Sequence, residues 1–451
     1  MKQQIKFIDE NFNRFTEELK ELLRIPSVST DPVYKNDIQK CAEWLKDHMD
    51  KIGLSRTEII QTAKHPIVYS EYISKSSVPT ILIYGHYDVQ PPDPVELWKS
   101  DPFEPLIENN HIIARGATDD KGQLFMVLKA IETLLRTEGS FAFNVKLVLE
   151  GEEECGSVSL MEFIANNKDK LKSDIVLICD TAMVGENIPA ITISLRGILY
   201  VELFVKTSNR DLHSGVYGSV IANPLNVISE LMSKIRDDNG KITIPGFYDD
   251  VIEPDEKEKS DIIRIPFDEK KWLDQIGSTG VITENNCSVI EETTRRPSFD
   301  VHGIRGGYTG EGLKTVIPSE ATVKFSFRLA PHQDPDKIFK SLESFIRTHI
   351  PDTVKYKLTV LTKADPVLID KKNPYITMAV AALEETFNTK AFLIGTGGSL
   401  PVVTTVKKDL NTDIILMGFA LEEDGAHAPN ESFSLNRLRK GIEAIARFLN
   451  Q

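Results

Sequence analysis

Five short segments carry side chains whose types could bind a metal and move protons. They are Gly85-His86-Tyr87-Asp88-Val89, Arg115-Gly116-Ala117-Thr118-Asp119-Asp120-Lys121-Gly122, Glu150-Gly151-Glu152-Glu153-Glu154, Asp180, and Asp424-Gly425-Ala426-His427. Two imidazoles among several carboxylates suit zinc or another borderline divalent ion, whereas oxygen-only donors would point to magnesium or calcium. Each segment alone has an ordinary alternative. Asp119-Asp120 could cap a helix, Asp424-Gly425 could be a plain turn, and 150–154 could be a solvated acidic loop. Placement argues against five coincidences.

Four of the five segments follow a stretch that reads as a strand. The stretches 80–84, 145–149, 175–179 and 414–417 are apolar but for Thr80 and Lys146, and a helical pattern over 123–136 lies between the first two. Such strands alternating with helices predict an α/β fold, a largely parallel mixed sheet flanked by helices. In an open sheet of this kind the carboxyl ends of the strands share one crevice, where ligands bind. The fifth segment, 115–122, stands just before the helix. Two histidines and the carboxylates therefore converge.

Other elements frame that sheet. Ile5, Ile8, Phe12, Phe15, Leu19 and Leu22 mark one face of a helix stopped by Pro26. A second helix is expected from Asp37 to about Lys51, with Gly53 past its end, and a last one over 434–449. From about Ile191 the texture changes. The stretches 200–206 and 322–328 alternate like half-exposed strands, and helical patterns cover 224–235 and 335–348. A smaller α+β domain over 191–363 is thus expected, inserted into a discontinuous larger domain of 1–190 and 364–451. The charged stretch 244–297 shows no clear pattern.

Composition excludes several classes. The 451 residues are 41% hydrophobic and 27% charged, so the chain can bury sizeable cores. Its net charge of −14 argues against a nucleic-acid or anionic-membrane partner. No apolar run approaches the ~18 residues that span a bilayer, and Asp9, Glu10, Glu17 and Glu18 interrupt what a signal peptide would keep apolar. The four cysteines show no CxxC pair, which fits a reduced, cytoplasmic protein.

In order and content these segments resemble the aminoacylase–carnosinase family of di-zinc metallopeptidases (metallopeptidase family twenty). The likeness runs from Leu22-Leu23-Arg24-Ile25-Pro26-Ser27 to the final helix. Gly85 to Pro91, 115–122 and 150–156 are most similar to the cytosolic dipeptidase branch, and 244–297 resembles that branch's enlarged lid. The resemblance implies that His86 and Asp180 hold one zinc, that Glu154 and His427 hold the other, and that Asp119 bridges them. Manganese or cobalt can replace zinc in such a set. It implies Glu153 as general base and then acid, and Asp88 as the partner that orients His86. The reaction implied is hydrolysis of a dipeptide with a free C-terminal carboxylate, by a hydroxide held between the two ions. Asp119-Asp120 is similar to a strained peptide between two acids in the family.

The resemblance makes 1–190 and 364–451 the catalytic domain and 191–363 a lid and dimerisation domain, and the latter is implied to supply a second set. Asp211-Leu212-His213-Ser214-Gly215 resembles the segment whose histidine steadies the oxyanion in the partner subunit of a homodimer. Thr315, Arg328, Gly398 and Ser399 match parts that hold the substrate's carboxylate, Arg because its planar fork suits that anion. The remaining histidines (His48, His65, His111, His302, His332, His349) read as ordinary positions. The chain departs from the branch at Gly395-Thr396, where an Arg-Glu pair is usual, and this bears on which substrate is taken. Ala114 and Cys155 are neutral replacements of small residues. The alternatives are an N-acyl-amino-acid deacylase or a metallocarboxypeptidase, and, outside enzymes, a silent metal-binding homologue.

Overall fold

A computed structural model describes residues 1–74, 77–284, 287–398 and 400–451. The chain divides into two compact units, Met1–Ile193 with Ile369–Ile394 and Pro401–Gln451, and Ser194–Leu368 with Gly395–Leu400.

In the first unit the strands order as Ser55–Ile60, Ile67–Tyr72, Asn144–Glu150, Thr80–His86, Ile175–Ile178, Asp413–Leu416 and Ala190–Leu195. The sheet is mixed, as expected, and its four central strands run parallel. Those four are the apolar runs of the sequence, and their side chains are almost entirely buried. The outer strands pair antiparallel.

Three N-terminal helices flank this sheet: α1 (Lys2–Leu23), α2 (Lys35–Ile52) and α3 (Lys121–Thr137). Gly53, at φ 107°, ends α2 in the left-handed conformation that glycine adopts at least cost. Helix α3 is buried from Lys121 to Leu134 without a break, packed between α1 and the closing helix Leu435–Leu449. The turn that leads into α3 requires glycine at 122, since a Cβ there would lie 2.0 Å from the Ala117 carbonyl oxygen.

In the second unit the strands Ser298–Gly306, Glu320–Leu329, Gly197–Lys206 and Lys355–Ala364 form an antiparallel sheet in that order. Alternation along Gly197–Lys206 sends Leu199, Val201, Leu203 and Val205 inward. They pack with Phe325, Phe327, Ile228, Leu231 and Leu342. The last three come from the helices Pro224–Ile235 and Pro335–His349, each begun by a capping Asn or Asp followed by Pro. Among its described residues the stretch 244–297 forms three short α-helices, Glu256–Ile263, Glu269–Ile276 and Val289–Thr294. Among the described residues no helix is long and apolar enough to cross a membrane.

Candidate metal centre

His86 and Glu150 end adjacent parallel strands in register, and Asp180 lies two residues past the end of the next one. This geometry brings five side chains together as two groups that share one member. His86, Asp119 and Asp180 form the first, and Asp119, Glu154 and His427 the second, with donor atoms within 4.8 Å of one another. Asp119 offers a different oxygen to each. Its Oδ1 is 3.1 Å from His86 Nε2, and its Oδ2 is 2.9 Å from His427 Nε2. His86 Nε2 is also 3.8 Å from Asp180 Oδ2, and His427 Nε2 is 3.4 Å from Glu154 Oε1.

The donors fit a pair of divalent cations. Glu154 Oε1 is buried and accepts no hydrogen bond, and a buried carboxylate oxygen without a donor is costly unless a cation meets it. The other oxygen, Oε2, accepts from Gln90 Nε2 at 2.6 Å. Among the described residues no Lys or Arg pairs with any of the five.

The acidic run divides its labour. Glu150 accepts from Tyr84 and Ser157, and Glu152 from the backbone of His65 and Ser159, so both serve as anchors. Glu153 and Glu154 occupy the short helical turn Glu153–Cys155 beside the donors. The carboxylate of Asp88 accepts from both of their N–H groups, at 3.2 and 3.1 Å. His86 Nδ1 lies 3.1 Å from the Asp88 carbonyl oxygen and 3.4 Å from its carboxylate. Asp88 thus orients the imidazole chiefly through its backbone and holds the Glu153 turn with its side chain. Burial raises Glu153 to about 8; His86 opposes that shift, while Asp180, Glu154 and Asp119 add to it.

Two further carboxylates escape the sequence pattern as positioning groups. Glu431 is fully buried and accepts from Arg115 Nη1 and from the N–H groups of Gly116, Thr118 and Asp119, at 2.8–3.0 Å. Asp424 takes both terminal nitrogens of Arg437, the Thr118 hydroxyl and the Leu421 N–H. Between them these two acids tie the His427 loop to the loop that carries Asp119. His427 itself sits at φ 62°, a conformation that non-glycine residues seldom adopt and that clusters at functional sites. The Asp119-Asp120 peptide is cis.

In the second unit, His213 and Thr315 are neighbours. The short strands Leu212–His213 and Val316–Ile317 pair, and Ser214 N–H donates to the Thr315 carbonyl at 3.2 Å. His213 is exposed, with Nδ1 accepting from Gly215 N–H at 3.0 Å. Arg328 is half-buried on the strand Glu320–Leu329, Gly398 is exposed in the turn after Phe392–Thr396, and Ser399 lies outside the described residues.

Residues 82–451 match the peptidase family M20/M25/M40. The chain belongs to that family and is an enzyme of it, which bears out the resemblance carried by the motifs. Its relatives include the Cys-Gly metallodipeptidase DUG1 of Candida albicans, 31% identical, covering 98% of this chain and 95% of that one. Human Beta-Ala-His dipeptidase is 26% identical, over 98% and 91% respectively. The solved M20 family metallo-carboxypeptidase Sso-CP2 of Sulfolobus solfataricus superposes with a TM-score of 0.85 at 33% identity, covering 96% of this chain and 98% of its own.

Proposed function

We propose that this enzyme hydrolyses dipeptides that carry a free C-terminal carboxylate, with two zinc ions in the centre built around Asp119. The observation that carries the reading is the sharing of Asp119, one oxygen to each donor group, beside an unligated Glu153. His86 and Asp180 would complete one site, and Glu154 and His427 the other. Two divalent cations supply Lewis acidity, lowering the pKa of a water and polarising the scissile carbonyl.

The chain's own residues do the rest. Glu153, held by Asp88 through the turn, accepts the water's proton and passes it to the leaving amine. His213, from the partner subunit of a homodimer, donates to the oxyanion. Arg328, Thr315, Gly398 and Ser399 hold the terminal carboxylate. The names of the Candida and human relatives support dipeptides as the class. The Sulfolobus protein is named a carboxypeptidase, which supports a second reading, removal of C-terminal residues from longer chains.

The test is a screen of metal-reconstituted protein against Cys-Gly, β-Ala-His, longer peptides and N-acyl amino acids, each with and without chelator. Chelator-sensitive turnover confined to dipeptides is expected. Turnover of N-acyl amino acids or longer peptides alone would replace the reading by a deacylase or a carboxypeptidase, and none at all by a silent homologue. For the dimer, mixing inactive His213→Ala and Glu153→Gln subunits should restore activity on exchange. Exchange without recovery would sink the trans assignment.

A further inference from the structure

Arg196 takes no part in the chemistry above, yet its surroundings are unusual. Only 9% of the residue is exposed, and every hydrogen bond of its guanidinium ends on a backbone carbonyl. Nε donates to Gly397 at 3.4 Å, and Nη1 to Arg296 at 3.2 Å and to Glu292 at 3.4 Å. Buried charges are ordinarily paired with an opposite charge. Among the described residues no carboxylate forms an ion pair with this one, and Nη2 donates to nothing.

Its position narrows what the spare donor could meet. Arg196 stands two residues before Ile198, which lies opposite Arg328 in the antiparallel ladder. Alternation turns both arginines toward the same face of the sheet, as diagonal neighbours. Burial and then the like charge of Arg328 lower Arg196 to about 10, against the weaker pull of Asp300 and Glu292. The glycine turn closes over the same spot. A Cβ at residue 397 would lie 2.7 Å from Arg196 Nη2 and 2.8 Å from the Thr293 carbonyl oxygen, so only glycine lets the chain approach the guanidinium this closely.

We propose that Arg196 is the second guanidinium of the subsite for the substrate's carboxylate, presenting Nη2 beside Arg328 and the glycine turn. The carbonyls of Gly397, Glu292 and Arg296 hold the fork in place, so little side-chain freedom is lost when an anion binds. A carboxylate also relieves the repulsion between the two arginines. The inference rests on the dipeptide reading above, because it assigns a role in gripping that reading's free carboxylate.

The test uses metal-loaded enzyme, the dipeptide turned over fastest in the screen, and the C-terminal amide of the same dipeptide. Arg196→Gln should raise KM for the acid by a factor of about 10 or more, the loss of one charge-assisted hydrogen bond. The kcat should change by less than about threefold, and the amide should be unaffected. Gly397→Ala, which pushes on Nη2 without removing a charge, should act in the same direction and serves if Arg196→Gln does not fold. Arg328→Gln is the control. Loss of acid-over-amide preference in Arg328→Gln, with the preference intact in the Arg196 or Gly397 variant, overturns the role of Arg196 alone. Preference intact in all three variants means that the carboxylate reading itself has failed.

Discussion

Two clusters in the first unit are built from the same residue types and have opposite outcomes. Glu18, His48 and Glu132, from α1, α2 and α3, bring two carboxylates and an imidazole as close together as metal ligands stand. An ammonium fills the space between them. Lys129 Nζ donates to Glu18, to His48 Nε2 at 2.7 Å and to Glu132 at 2.8 Å, while Arg14 bridges the two acids from outside. The centre at Asp119 has at least as many acids and histidines and, among the described residues, no ion-paired Lys or Arg. A buried acid and histidine cluster therefore signals a metal only when the protein's own cations have been kept away. The first cluster is a finished ionic network that ties three helices together; the second leaves an oxygen of Glu154 without a donor.

Asp119→Ala tests that contrast most severely. If one carboxylate serves both donor groups, its removal should lower the occupancy of both metals by elemental analysis and bring turnover to background. Loss of one metal alone would make Asp119 a terminal ligand. Glu153→Gln should come next, with turnover down by a factor of about 10²–10⁴, the range for a general acid–base residue. Both metals should stay bound. Metal loss in Glu153→Gln, with Glu154→Gln harmless, would mean that the two adjacent glutamates have exchanged roles.

The contrast also explains what can be read from the sequence. The central strands are legible because burial on both faces keeps them almost wholly apolar, and the chemistry stands where those runs end. His86 and Asp180 stand out for that reason. Glu431 and Asp424 act as anchors through hydrogen bonds across more than 300 residues of chain, and no local pattern marks such a partner. The helices Glu256–Ile263 and Glu269–Ile276 are hard to read because each is only eight residues long and buries none of them, so apolar spacing such as Trp272, Leu273 and Ile276 lasts a single turn. The edge strands of the second unit, Ser298–Gly306 and Lys355–Ala364, are largely exposed, and their few inward apolar residues mark them far less plainly than the central strands are marked. His48 reads as an ordinary histidine and is a buried acceptor for Lys129.

A smaller effect on function, though a large one on stability, is expected at the other cluster. Lys129→Met replaces a fully buried ammonium by an apolar chain of similar reach and leaves Glu18 and Glu132 facing each other with Arg14 outside. Breaking a buried ionic network in this way costs about 3–5 kcal/mol. Urea unfolding should show that loss, whereas metal content and turnover per folded molecule should stay within about twofold of wild type. A variant that also lost metal would mean that the two clusters are coupled.

The smallest effect is the pH dependence of that loss, and its sign distinguishes a charge network from simple packing. In the intact protein burial would raise Glu18, but the hydrogen bond and charge of Lys129, with those of Arg14, lower it to about 2 from an ordinary value of 4.5. A depressed folded-state pKa contributes stability above pH ~4.5 that disappears as pH falls toward about 2, so between pH 5 and 7 this group leaves wild-type stability flat. In Lys129→Met the same carboxylates are buried without their ammonium and prefer to be protonated. His48, held down to about 3 by burial and by Lys129, would be freed to protonate between two acids. Both changes make the folded variant bind more protons than its unfolded chain, so the variant gains stability as pH falls. The difference in urea midpoint between wild type and Lys129→Met should therefore shrink from pH 7 to pH 5. A difference that stays constant over that window would show that Lys129 acts through its packed carbon chain, and the cluster would then be a filled cavity with charges at its rim.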